Sequence, residues 1–319
     1  MSSPISFTID GKPVTATAED TILTAAEKVG VEIPRLCYLE GYRPDGNCRA
    51  CVVEIEGERV LAPSCCRQPT NGMEVKSTSE RARFSQRLVV ELLASDTNTT
   101  TSEMETDSEL AALTKTFELK ENRFATRAQL PSDTTNQAIS VNLNDCIQCG
   151  RCVRACREEQ VHDVIGYSFR GSESKITFDA DLLMGDSTCV SCGECVQACP
   201  TDALLPAANS NGSSITKKVD SVCPYCGVGC LLTFNVTDTK ITSVSGRNGP
   251  SNASRLCVKG RFGFDYINHP SRLNTPLIRL DAARKTSDII DRKDIKKFFR
   301  EATWEEALPV LQSSLSAMM

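Results

Sequence analysis

Cys146-Ile-Gln-Cys149-Gly-Arg-Cys152-Val-Arg-Ala-Cys156 and, 32 residues further on, Cys189-Val-Ser-Cys192-Gly-Glu-Cys195-Val-Gln-Ala-Cys199-Pro200 decide how this chain is organised. Eight thiols within 54 residues need a chemical reason. A cubane of four irons and four sulfides supplies one, because three closely spaced cysteines on a tight loop hold three irons and a distant fourth holds the last. Zinc is the competing reading, but its structural sites set two cysteine pairs well apart. Here four cysteines crowd into eleven residues twice, and the second run ends in Cys-Pro.

The doubled run resembles a bacterial two-cluster ferredoxin domain. The resemblance implies that each fourth ligand comes from the opposite run. Cys146, Cys149 and Cys152 are then expected to share one [4Fe–4S] cluster with Cys199, and Cys189, Cys192 and Cys195 the other with Cys156. Composition agrees with a protein stabilised partly by clusters. There are 17 cysteines, 2 histidines and 1 tryptophan, and aromatic residues make up 5%. The odd cysteine count, an N-terminus without a basic leader or twin arginines, and the lack of an apolar run near the ~18 residues of a membrane span predict a reducing, cytoplasmic setting. A net charge of −5 without a dense basic patch gives no reason to expect nucleic acid as a partner.

Working outward toward the N-terminus, Ile5, Phe7 and Ile9 alternate before Asp10-Gly11, which predicts a β-hairpin. Asp20 is expected to cap a helix from Thr21 to Val29 with Ile22, Ala25, Ala26 and Val29 on one face. A loop with Cys37, Cys48, Cys51 and Cys65 follows, and strands are expected at 51–55, 58–61 and 73–76. This order resembles the β-grasp fold of [2Fe–2S] ferredoxins. Gly46-Asn-Cys48-Arg-Ala-Cys51-Val-Val-Glu54 and Val60-Leu-Ala-Pro-Ser-Cys65 resemble more closely the N-terminal domain shared by the large subunit of complex I, iron-only hydrogenases and NAD-linked formate dehydrogenases. The resemblance implies a [2Fe–2S] cluster on Cys37, Cys48, Cys51 and Cys65. Cys66 is the alternative fourth ligand, with a small buried residue as its expected role.

An amphipathic helix is predicted over 80–94, with Phe84, Leu88 and Leu92 in register. A polar linker is expected to follow from Ser95, and a short helix from Ser108 to Phe117. Most relatives in the resembled group carry a cubane held by one His and three Cys after the first domain. No His or Cys lies between Arg67 and Asp145 here, so a shorter relay is expected. His162 is read as a surface or packing residue.

Beyond a polar linker around Asn209–Ser214 comes Cys223-Pro-Tyr-Cys226-Gly-Val-Gly-Cys230, and 26 residues later Cys257. Three clustered cysteines and one distant one again suit a cubane better than a zinc ribbon. The segments 231–236 and 240–244 predict a hairpin between them. With Arg255-Leu-Cys257-Val-Lys259-Gly-Arg-Phe262 and His269-Pro-Ser-Arg272, the motif resembles the start of the catalytic module of molybdenum or tungsten bis-pterin formate dehydrogenases, most of all the large subunit of the soluble NAD-dependent enzymes. The resemblance implies that Lys259 lies between this cubane and the pterin, where a cation can pair with anionic groups. His269 is expected to be structural.

The expected architecture is α+β and multidomain. It comprises a β-grasp [2Fe–2S] ferredoxin domain (1–79), a helical and linker segment (80–137), a bacterial 2[4Fe–4S] ferredoxin domain (138–208), a linker (209–217), the start of a molybdopterin oxidoreductase [4Fe–4S] domain (218–275) and the beginning of a catalytic domain (276–319). One [2Fe–2S] and three [4Fe–4S] clusters use 16 of the 17 cysteines. The catalytic residues of the resembled family lie beyond the last residue given, so no catalytic residue is assigned. Thr303-Trp-Glu-Glu306 predicts a capped terminal helix with Leu308, Leu311 and Leu315 on one face and a kink at Pro309. That face needs the remainder of the subunit, or a separate pterin-binding chain, to cover it. A Mo or W bis-pterin guanine dinucleotide is expected with that part, and a flavin- and NAD-binding diaphorase subunit as electron acceptor. The alternatives are a polyferredoxin subunit of a hydrogenase or transhydrogenase, and a non-catalytic scaffold.

Overall fold

In the computed structural model the N-terminal alternation becomes β1 (Ile5–Ile9) and β2 (Lys12–Ala16), paired antiparallel so that buried Phe7 stands opposite buried Val14. Asp10 and Gly11 make the turn with φ of 49° and 76°, the left-handed conformations such a turn requires. The structure describes residues 4–97, 108–119, 123–209, 215–281, 283, 285 and 287–316. It divides into two compact units, Met1–Gly263 and Phe264–Met319.

In the first unit, α1 (Ile22–Lys28) buries Ile22, Leu23, Ala25 and Ala26 against a five-stranded mixed sheet. The sheet runs β2-β1-β5-β3-β4, where β3 is Val52–Ile55, β4 Ala62–Pro63 and β5 Glu74–Lys76. Only β1 and β5 pair in parallel. The strand expected at 58–61 is absent. Gly57 turns the chain at φ 81°, Val60 is 60% exposed, and pairing resumes only at Ala62, opposite Val53.

Thr21, not Asp20, caps α1, through a reciprocal box with Thr24. Asp20 instead accepts from the Thr17 amide at 2.8 Å and from Lys28 at 2.7 Å. Burial pulls its carboxyl up, and the bonds from Lys28 and Thr17 outweigh that pull, so it ionises below its ordinary value. Asp20→Ala is therefore expected to cost about 2 kcal/mol, most of it the charged hydrogen bond to the Thr17 amide rather than the exposed ion pair. A depressed carboxylate contributes above its unfolded value of 3.8 and loses the contribution only as pH falls through the lower folded value. The difference in thermal midpoint between variant and parent should thus be constant from about pH 8 to pH 5; a difference that shrank across that range would contradict the assignment.

Helix α2 (Glu80–Ser95) forms as expected but presents the other face. Phe84, Leu88 and Leu92 are 69%, 36% and 50% exposed, while Ala82, Gln86, Val90 and Ala94 are buried. The small side chains let the helix lie close to the sheet. Gln86 donates to the carbonyls of Val52 (2.9 Å) and Ser77 (3.1 Å), which the ladder leaves open. Helix α3 (Glu109–Thr116) is capped by Ser108. Most of the expected polar linker after Ser95 lies outside the described residues.

Two antiparallel pairs frame the central cysteine runs: β6 (Ile139–Val141) with β9 (Leu204–Pro206), and β7 (Ile165–Ser168) with β8 (Lys175–Phe178). Between them lie α4 (Arg151–Arg154), a π-type turn (Ala155–Glu159) and α5 (Glu194–Ala198). The linker expected at Asn209–Ser214 falls almost wholly outside the described residues. The expected hairpin is present as β11 (Leu231–Thr237) and β12 (Lys240–Gly246), with β10 (Lys217–Val222) added at its edge and α6 (Val258–Phe262) following. The second unit holds β13 (Leu277–Arg279) paired with β14 (Phe299–Glu301), the short α7 (Ile295–Phe298) and α8 (Trp304–Ser316). Thr303 and Glu306 form the expected capping box of α8, which runs on through Pro309 with Leu308 and Leu311 exposed. No helix among the described residues is long and apolar enough to cross a membrane.

Candidate metal centres

The two central runs fold as copies of one another. Gln148 and Ser191 take left-handed φ of 53° and 55°, and Gly150 and Gly193 follow at 76° and 77°. This turn directs the Gln148 amide to Cys146 Sγ and the Ser191 amide to Cys189 Sγ, each at 3.4 Å. Successive backbone N–H groups in such turns form a concavity that favours anionic sulfur. The Val164 amide donates likewise to Cys156 Sγ at 3.3 Å.

The runs exchange their last cysteines. Cys146, Cys149, Cys152 and Cys199 line one small cavity, closed by Ile147, Ile176, Ala203 and Leu204. Burial pushes the Cys146 thiol up to about 11 and Cys149 up to about 12, with the neighbouring Cys199 adding to both. Cys195 is raised by burial first, then by Cys192, Cys189 and Cys156. Cys152 also senses Cys195, so the two groups of four are neighbours.

In the N-terminal domain Cys37, Cys48, Cys51 and Cys65 converge. The Cys37 amide donates to Cys48 Sγ at 3.3 Å. Hydrogen bonds from Cys48 and Cys65 hold the Cys37 thiol far below its ordinary value, and Cys65 does the same, more weakly, for Cys51. Cys65 is fully buried within this group; Cys66 is exposed, not buried as expected, with its sulfur 3.6 Å from that of Cys65. At the other end of the unit, Cys230 is raised by burial and then by Cys223, Cys226 and Cys257. This last group is the most open: Cys226 and Cys257 are exposed, as is Lys259 on the first turn of α6. His162 and His269 are both exposed, and His269 Nδ1 accepts from the Ser271 amide at 3.1 Å.

All four groups consist of thiols alone, the donor set that iron–sulfur clusters take. No three His, Cys, Asp or Glu side chains among the described residues close on one metal-ion position.

The sequence reading missed the buried charges that join these groups. Arg151 and Glu194 occupy the same place in the two runs, and both are buried. Arg151 donates to Glu109 (2.6 and 2.8 Å) and to the Tyr38 carbonyl (2.6 Å). Glu194 pairs with Arg261 (2.9 Å) and Arg255 (3.4 Å) and accepts from the Tyr42 hydroxyl (3.0 Å). Arg255 also lies over the Tyr42 ring at 4.9 Å and bonds Glu159 at 2.8 Å. Gly193 is packed so closely on Arg261 and Phe262 that a Cβ there would approach both within 2.6 Å. The one available signal was a charged residue in the second Cys-x2-Cys step of each run, Arg151 and Glu194.

Three family profiles match, each over a separate part of the chain. Residues 2–80 match a 2Fe-2S iron-sulfur cluster binding domain, 135–203 a 4Fe-4S dicluster domain and 216–269 a molybdopterin oxidoreductase Fe4S4 domain. A G-type NADH-quinone oxidoreductase chain of Rhizobium meliloti is 32% identical over 87% of this chain and 33% of its own length. The NADPH-Fe(3+) oxidoreductase alpha chain of Geobacter sulfurreducens is also 32% identical, over 86% of this chain and 33% of its own. A Bacillus subtilis protein provisionally named a formate dehydrogenase, YrhE, is 28% identical over 98% of this chain and 35% of its own. The chain thus spans about a third of the length of the curated relatives it matches. Among solved structures, a chain of the NAD+-reducing [NiFe]-hydrogenase in the H2-reduced state superposes with a TM-score of 0.61 at 28% identity, covering 67% of this chain and 92% of that one.

Proposed function

We propose that this chain is the iron–sulfur electron-relay portion of a formate dehydrogenase catalytic subunit, working with a Mo or W bis-pterin site on the remainder of the subunit or on a separate chain, and with a flavin- and NAD-binding diaphorase subunit. The carrying observation is that 16 of the 17 cysteines gather into four groups of four inside one compact unit. The ligand sets are Cys37/48/51/65 for a [2Fe–2S] cluster, Cys146/149/152/199 and Cys189/192/195/156 for two [4Fe–4S] clusters, and Cys223/226/230/257 for a third. When bound, such clusters accept and release single electrons at potentials set by charge, hydrogen bonding and exposure.

The chain's own residues fix where the clusters stand and what surrounds them. Buried thiols must lose their protons to bind iron, so the burial that raises Cys146 and Cys149 couples loading to proton release. The open Cys223 group, with Lys259 exposed beside it, suits contact with an anionic pterin. The Fe4S4-domain match at 216–269 favours a pterin partner over the polyferredoxin reading that the hydrogenase likeness suggests.

Metal and sulfide analysis of the anaerobically purified protein, with its intact mass, tests this reading. About 14 irons are expected, and co-purification of Mo or W with a pterin-binding remainder would support the formate dehydrogenase assignment. About 14 irons with neither metal, at the mass of this sequence, would favour the stand-alone relay.

A further inference from the structure

The loop that carries Cys37 and the loop that carries Cys149 are joined by one side chain. Arg154, in the last turn of α4, is 2% exposed. Its Nη2 donates to the Cys37 carbonyl at 2.7 Å and lies 3.4 Å from the Cys149 carbonyl; its Nε lies 3.3 Å from the Gly150 carbonyl. Nη1 donates to the Arg43 carbonyl, and Asp45 stands 3.1 Å from Nε. One turn earlier Arg151 repeats the arrangement, reaching the Tyr38 carbonyl on one side and that of Ala198, next to Cys199, on the other. Around these bonds Leu36, Cys37, Ala50, Ile147 and Cys149 form a buried apolar cluster. The first cysteine group and the Cys146 group therefore meet through a buried contact spanned by two arginines.

We infer that Arg154 is the positioning residue that couples the [2Fe–2S] site directly to the Cys146/149/152/199 site, so that one electron passes between them without a further carrier. This rests on the relay reading above. With clusters bound at both sites, the step would be a single-electron exchange in which one reduced cluster would be oxidised and one oxidised cluster reduced. No covalent bond forms or breaks, and the guanidinium, a permanent cation, transfers no proton. Two features suit Arg154 to this role. It fixes the separation and orientation of two ligand loops at once, and it donates to the peptide carbonyl of a ligand on each side, giving a short hydrogen-bonded route between them. Lysine has the charge but not the planar fork, so it cannot hold both carbonyls together.

The test compares parent, Arg154→Gln and Arg154→Lys proteins as purified holoprotein. Iron content and the reduced-state EPR signals report whether the clusters are present, which is the relay reading. Photoreduction followed by rapid-freeze EPR reports how fast the electron distributes between the [2Fe–2S] and the cubane, which is the present inference. Because electron exchange slows as the separation between centres grows, Arg154→Gln should slow this exchange several-fold, with Arg154→Lys intermediate. The magnetic interaction between the two reduced centres should weaken in the same order, while iron content stays at the parent value. If Arg154→Gln loses iron, Arg154→Lys carries the reading. Full iron with an unchanged exchange rate and unchanged magnetic interaction in the variant that folds overturns the inference. A parent protein that lacks the [2Fe–2S] signal overturns the relay reading instead.

Discussion

Arg261→Ala is expected to lower the thermal midpoint of the holoprotein by roughly 10 °C, corresponding to about 3–5 kcal/mol for breaking a buried ion pair. The Arg261 and Glu194 side chains are each 2% exposed and meet at 2.9 Å, and Arg261 also donates to Gln197 Oε1 at 2.7 Å. Burial pulls the Arg261 guanidinium below its ordinary value; Glu194 opposes that pull, then the Cys195 and Cys192 thiols. The pair itself need not be a net gain, because both ions lose their water. Removing one partner is another matter. Glu194 would keep only Arg255, 3.4 Å away and shared with Glu159, together with the Tyr42 hydroxyl. It would also face the void beside Gly193 that Arg261 fills. A double variant, Arg261→Met with Glu194→Leu, should recover most of the loss, since two apolar side chains of similar volume remove the stranded charge. Differential scanning fluorimetry under anaerobic conditions, with iron content as control, decides it. A single variant within about 2 °C of the parent would mean that the junction is wetter or more adaptable than its burial indicates.

How far the sequence carries a reader depends on whether a property is local. Cysteine spacing is local chemistry, so candidate ligands can be named from it, whereas which cysteines stand near one another is decided by the fold. Cys65 and Cys66 are adjacent in sequence, and only the fold decides that Cys65 is buried within the first group while Cys66 is exposed. Periodicity was less faithful in α2. Phe84, Leu88 and Leu92 make the stronger apolar stripe, yet the sheet takes the face with alanines and Gln86, because open carbonyls at Val52 and Ser77 need a donor. Asp20 was misassigned because a helix cap and a loop anchor have the same composition, and only the position of Lys28 in space separates them. The charged junction of Arg151, Arg154, Glu194, Arg255 and Arg261 is largely non-local: Arg151 reaches Glu109 across 42 residues, Arg154 reaches Cys37 across 117, and Tyr42 reaches Glu194 across 152.

The crossed assignment of the central cysteines gives the other large effect. Cys156→Ala is expected to disturb the same cluster signal as Cys195→Ala, and Cys199→Ala the same signal as Cys152→Ala. Each variant removes one of the four thiolates on which a cubane depends. The parent count of about 14 irons should fall by up to about four in each case. The geometry behind this is specific. Cys156 opens onto Cys189 and Cys195 from the π-type turn that ends the first run, with the Val164 amide fixing its sulfur. Cys199 faces back to Cys146, Cys149 and Cys152 across the cavity floored by Leu204 and Ala203. An uncrossed arrangement predicts the reverse matching, with Cys156 grouped with Cys152 and Cys199 with Cys195. Low-temperature EPR of the four reduced variants separates the two outcomes, because the sites differ in the sulfur-directed amides around them and should differ in spectrum and potential. Crossing also has a mechanical consequence. Each cluster would tie the first run to the second, so losing either one should loosen both halves and expose the contacts that Arg151 and Glu194 make with their neighbours.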